Sequence, residues 1–167
     1  MRKLKRYLFL ACCMLSVSLQ AQKFQHDWEN YVVSLNGRPV SINVDLGLKP
    51  NVPVLDLPFV IIARVKLNHA NEWGMPDQEE IEVLDKLEEK MVENLTRYQG
   101  AVFVGRFTQR GIREFYFYSS DTSKYQFSIG NVLQESSTYQ WLAQAKRDAE
   151  WENYLSVLFP SALDLLL

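Results

Sequence analysis

Residues 101–118 limit the folds open to this chain more than any other stretch. Two runs rich in β-branched and aromatic residues, Ala101–Thr108 and Ile112–Tyr118, flank Gln109-Arg110-Gly111. Apolar residues recur at every second position, which suits a strand and not a helix, and Gly111 tolerates the left-handed backbone of a hairpin loop. A three-residue loop closing this hairpin puts Phe103, Phe107, Phe115 and Phe117 on one face. Arg106 then lies opposite Glu114 on the other face, beside Tyr116 and Tyr118. A two-residue loop would mix the phenylalanines with the acid and the tyrosines, so the longer loop is the expected one.

The rest of the chain supplies what such a sheet needs. Tyr31–Leu35 and Val40–Leu46 around Asn36-Gly37 read as a first hairpin, because Asn-Gly accepts positive φ and Val40, Ile42 and Val44 alternate with polar residues. A proline-bearing loop, Gly47–Pro58, leads to the strand Phe59–Leu67, with Arg64 and Lys66 on the face opposite Ile61, Ala63 and Val65. Asp77 and Glu80 have capping-box spacing ahead of a helix whose buried stripe is Leu84, Leu87, Met91 and Leu95. A second helix carries Tyr125, Ile129, Val132 and Leu133 inward, and Tyr139–Lys146 reads as a strand. Asp148 caps a last helix with Trp151, Tyr154, Leu155 and Leu158 on one side, ending near Pro160. From Phe59 the order is β-α-β-β-α-β. The expected class is therefore α+β, a ferredoxin-like antiparallel sheet with an added N-terminal β-hairpin and a C-terminal helix.

Residues 1–21 have the make-up of an export signal. Arg2, Lys3, Lys5 and Arg6 precede a short apolar run, and Ala21 offers a small residue for cleavage. The run is short for a permanent anchor, which leaves an uncleaved anchor as the bland alternative. Cys12 follows Leu10-Ala11 in the manner of a lipid-attachment site, but cleavage there would leave too little apolar sequence behind the basic block. Ordinary cleavage leaves one domain, residues 22–167, in the periplasm or outside the cell. Losing four basic residues moves the formal charge from −2 to −6, and both cysteines, Cys12 and Cys13, leave as well. The mature domain then lacks a thiol nucleophile, a disulfide and a thiolate metal site. Its acidity also argues against nucleic acid or an anionic membrane surface as a partner.

Several short pieces carry a family resemblance: Trp28-x-x-Tyr31, Gly37-x-Pro39, Asp45-Leu46, Gly74-Met75-Pro76, the hairpin from Val104 to Tyr118, and Trp151-x-x-Tyr154 through Phe159-Pro160. On these the chain resembles the bacterial domain-of-unknown-function family 695 over essentially the whole mature region. Its C-terminal part also looks like the regulator of ribonuclease E activity B, a ferredoxin-like inhibitor that acts through protein contacts. The first resemblance implies domain boundaries and no chemistry. The second implies a binding module, and the export leader separates this chain from a cytoplasmic ribonuclease.

The residues themselves are sparing with catalytic signals. His26 and His69 have no companion ligands at helical spacing, so two surface histidines and no metal or cofactor is the expectation. No glycine-rich phosphate loop or nucleophile elbow occurs. The Glu-rich run from Asp77 to Glu93 reads as a solvated helix face. The leading expectation is a non-catalytic exported domain that binds an envelope protein or a small ligand through Arg64, Lys66, Arg106, Glu114, Tyr116 and Tyr118. A carboxylate-based hydrolase using Asp45, Arg106 and Glu114 is the alternative, and a self-associating structural domain, a homo-oligomer, is the third reading.

Overall fold

The computed structural model describes residues 24–135 and 138–161, so the leader lies outside the described residues. Among them, strands β1 (Trp28–Leu35), β2 (Arg38–Asp45), β3 (Phe59–Lys66), β4 (Val102–Gln109), β5 (Ile112–Ser119) and β6 (Trp141–Arg147) form one antiparallel sheet. Their spatial order is β1-β2-β4-β5-β3-β6. The helices are α1 (Gln78–Gln99) and α2 (Tyr125–Glu135), joined by a 3₁₀ segment at Leu46–Asn51 and a π-helical segment at Asn153–Leu158. None of these helices is long and apolar enough to cross a membrane.

Local chemistry fixes several of these elements. Asp77 caps α1 by accepting the Glu80 N–H at 2.8 Å. Glu80 does not return the bond to Asp77 as a full capping box would. Its buried carboxylate accepts the backbone N–H groups of Asn68 (2.6 Å) and His69 (3.0 Å), pinning the β3–α1 loop. Asn36 and Gly37, at φ 53° and 73°, close the first hairpin with the two-residue turn expected of that pair.

The central hairpin departs from its expected register. Gln109 pairs with Ile112, so Arg110-Gly111 alone makes the loop, with φ of 51° and 75°. Phe107, not Arg106, therefore stands opposite Glu114, and Arg106 stands opposite Phe115. The feared mixing of faces is partly undone by a β-bulge between Phe103 and Gly105, where Val104 is the extra residue. The bulge reverses the alternation of β4, so Phe103 still joins Phe115 and Phe117 while Phe107 goes to the opposite side.

The sheet is buried on both faces. On one, Leu84, Leu87, Met91 and Leu95 of α1 and Ile129, Val132 and Leu133 of α2 cover Ile61, Ala63, Val65, Phe103, Phe115 and Phe117. On the other, Trp151, Tyr154 and Leu158, with Leu48 and Val54 of the β2–β3 connection, cover Val40, Ile42, Val44, Val60, Ile62, Val104, Tyr116 and Tyr118. The expected last helix shrinks to the π-helical segment because Trp151 adopts φ 58°, a left-handed backbone no α-helix includes. The segment's N-cap position falls to Glu152, which makes no side-chain capping bond; Asp148, the expected cap, lies further back and accepts the N–H groups of Glu152 (2.9 Å) and Asn153 (3.0 Å).

Candidate functional site

Residues 24–28 cross the end of the sheet before entering β1, and they bring His26 beside Asp45, the last residue of β2. The Asp45 side chain is fully buried and accepts three bonds: from His26 Nδ1 at 2.5 Å, from the Asp27 N–H at 2.8 Å and from the Gly47 N–H at 3.1 Å. Gly47 is required for this crossing, because a Cβ there would fall 1.9 Å from the Gln25 carbonyl oxygen. Tyr154 donates to the Asp45 carbonyl at 2.7 Å and ties the same corner to the C-terminal segment. A carboxylate only accepts, so the imidazole donates through Nδ1 and its Nε2 remains for another group. His26 is thus oriented by a buried acid while half its side chain stays in solvent.

His26 lines two hollows. One, of about 280 Å³, is lined by Phe24, His26, Trp28, Val92, Thr96, Ala101, Val102 and Phe103. The other, of about 610 Å³, is lined by His26 with Gln25, Asp27, Leu46, Gly47, Pro50 and Asn51. Aromatic rings run from the first hollow into the core, the first two pairs stacked and the third tilted. His26 lies 6.4 Å from Trp28, Trp28 lies 5.4 Å from Phe103, and Phe103 lies 5.1 Å from Phe117 in the core. Trp28 is 41% exposed, an unusual setting for an indole that the fold holds in place. Thr96 is the hydroxyl residue among those lining the hollow, and it donates to the Ala101 carbonyl at 3.1 Å.

The residues singled out from sequence fall into three separate settings. Arg64, Glu114 and Tyr116 do meet: Arg64 is the cross-strand partner of Glu114 and donates to its Oε1 from Nε at 2.7 Å and from a guanidinium NH₂, while the Tyr116 hydroxyl donates to Glu114 Oε2 at 2.6 Å. Burial, and then the bond to Glu114, push the Tyr116 phenol well above its ordinary range. Lys66 is exposed on the same face, whereas Tyr116 and Tyr118 are buried beneath the C-terminal segment. Tyr118 stacks on Trp151 at 3.8 Å and donates to Asp148 Oδ2 at 2.5 Å.

Arg106 corrects the sequence reading, because the bulge turns it to the helix side. There its Nη1 donates to both oxygens of Glu88 at 2.9 Å, with Asp85 at 3.5 Å. Burial pushes the Glu88 carboxyl up against the pull of Arg106 and Arg113. Arg113 is itself held down to about 10 by burial first and then by the Arg106 charge. Asp45, Arg106 and Glu114 accordingly have three distinct partner sets and do not converge. Among the described residues no group of three or more His, Cys, Asp or Glu is arranged to hold a metal ion.

Sequence reasoning missed the His26–Asp45 pair, since nothing in their spacing of 19 residues signals contact. The signal present was Asp45 itself, a carboxylate at the buried end of an apolar strand, which demands a partner. No curated protein and no solved structure matches the chain. Residues 26–159 match a family described as a family of unknown function, DUF695. The match begins at His26 and runs through the sheet to Phe159, and the chain belongs to that family.

Proposed function

We propose that the chain is an exported domain that binds a small ligand without catalysis, and that the ligand sits in the hollow of Phe24, His26, Trp28 and Phe103. The observation that carries this reading is the imidazole fixed on buried Asp45 beside an exposed, stacked Trp28. Small-ligand sites combine apolar walls with a few positioned polar groups, and this hollow has aromatic walls and one oriented ring nitrogen. The expected ligand class has a flat or sugar-like face to lie on Trp28 and an oxygen or nitrogen to bond His26. Thr96 gives its hydroxyl proton to a backbone carbonyl, which favours binding over nucleophilic chemistry.

Two further elements belong to the same reading. The strand order β4-β5-β3-β6, with helices on one face, supports a ferredoxin-like core extended by the β1–β2 hairpin and the C-terminal segment. The basic and apolar leader supports export.

The test is ligand-observed NMR of residues 22–167 with methyl-β-glucoside, indole and benzoate as probes. At least one probe is expected to bind and to lose about tenfold in affinity in both Trp28→Ala and His26→Ala. Binding by none of the three, or equal binding by the variants, overturns the assignment.

A further inference from the structure

The two hairpins of the sheet close with the same backbone turn but not with the same residue types. At the β1–β2 tip, φ of 53° and 73° are taken by Asn36-Gly37, the pair that such a turn favours. At the β4–β5 tip, φ of 51° and 75° are taken by Arg110-Gly111. A long side chain at that left-handed position is strained where asparagine or glycine would not be. Strain kept at a surface turn calls for a reason in the side chain itself.

The surroundings supply one. Arg110 and Arg38, the residue that begins β2 just after the other tip, line one hollow of about 580 Å³ with Ala70, Asn71, Glu72, Gly74 and Gly111. Its wall is built rigidly. Asn71 Oδ1 accepts the N–H groups of Trp73 (2.9 Å) and Met75 (3.0 Å), and the Gly111 N–H donates to the Gly74 carbonyl at 2.9 Å. A Cβ on Gly74 would lie 2.6 Å from Arg110 Cα, so the loop and the turn are fitted against each other at the backbone. Among the described residues no ion pair or hydrogen bond engages either guanidinium. Glu72, the acid among the lining residues, forms an ion pair with neither arginine, so the hollow holds two unpaired guanidiniums against one carboxylate and keeps a net positive charge that an anion would offset.

We infer that Arg38 and Arg110 form a binding site for an oxyanion, a carboxylate or phosphate group, presented between the two hairpin tips. Guanidinium forks match the paired oxygens of such groups. This site is separate from the His26 hollow and does not depend on it.

The experiment is isothermal titration of the full chain with inorganic phosphate, succinate and a tetraglutamate peptide, followed in parallel by the Trp73 indole NMR signal. At least one probe is expected to bind, weakening with salt, and to lose about tenfold or more in Arg38→Ala and in Arg110→Asn. Arg110→Asn suits the left-handed turn, so its melting temperature is expected to equal or exceed that of the wild type, which separates lost binding from lost folding. The pattern among the probes tells phosphate from a free dicarboxylate and from an acidic peptide. His26→Ala is expected to leave all three titrations unchanged. No binding by any probe, or binding that survives both arginine substitutions, overturns the site.

Discussion

The two faces of the sheet are buried to a similar degree by very different means. The helix side is aliphatic and phenylalanine: α1 and α2 press leucines, isoleucine and Met91 onto Phe103, Phe115 and Phe117. The other side is covered by a short irregular segment and is held by directional bonds. Tyr118 donates to Asp148, Tyr154 to the Asp45 carbonyl, Tyr31 to the Leu158 carbonyl, and the Trp151 indole N–H to the Leu57 carbonyl at 3.2 Å. Regular helices satisfy their own backbone and need only an apolar stripe. A six-residue segment lacks that self-sufficiency, so hydroxyl and indole groups must fix its position. One face is held by area, the other by addresses.

Removing the anchor of the addressed face is the largest blow to this contrast. Trp151→Ala is expected to cost about 3–5 kcal/mol by denaturant unfolding, since it deletes a fully buried ring stacked on Tyr118. A reciprocal pair of hydroxyl changes comes next. Tyr118→Phe should cost about 1–3 kcal/mol, because Asp148 loses one of its donors and the Tyr154 N–H its acceptor, and Phe117→Tyr about as much, because the helix side offers the new hydroxyl no partner. If Phe117→Tyr proved neutral while Tyr118→Phe did not, the helix side would be more polar than described.

Alkali should probe the tyrosine side selectively. Burial, and then hydrogen bonding to acids, hold the phenols of Tyr116 and Tyr118 well above their ordinary range; burial and Asp45 do the same for Tyr154, and burial and Glu80 raise Tyr139 to about 12. The unfolded chain releases these protons near pH 10 and the native chain keeps them, so the unfolded state binds fewer protons and stability falls as pH rises past about 10. Each such tyrosine contributes about 1.4 kcal/mol per pH unit in that range. Arg113, lowered to about 10, works the other way but is one group against four. The part of the tyrosinate absorbance that these four rings supply should therefore rise together with loss of circular dichroism rather than before it. The smallest effect is Arg64→Ala, under about 1 kcal/mol by thermal melting, as its side chain is 44% exposed and its partnership with Glu114 is shared by Tyr116.

Much of this layout was readable from residues alone. The stripe Leu84, Leu87, Met91 and Leu95, the Asp77 cap and the Asn36-Gly37 turn are local patterns, and each stands where its spacing put it. The loop of the central hairpin was misjudged because two facts were coupled. A two-residue turn looked wrong for the phenylalanines only while β4 was assumed to alternate without interruption, and the bulge at Val104 removes that assumption. Trp151 through Leu158 have helical spacing, yet Trp151 takes a positive φ while it stacks on Tyr118 and bonds Leu57, contacts distant in sequence that spacing does not encode. The His26–Asp45 contact joins segments that meet only after the sheet has formed.

The extra residue at Val104 has an outcome that extends past this hairpin. Upstream of it, odd-numbered positions of β4 look toward the helices; downstream, even-numbered ones do, so Phe103 and Arg106 share a side. Deleting Val104 would restore one uninterrupted alternation and exchange the destinations of Val102 and Phe103, driving the ring toward Trp151 and Tyr154 and leaving α1 a void where it had stood. A family member with a shorter strand at this place would need its aromatic residue one step along, and a comparison made column by column would mistake that phase change for a substitution.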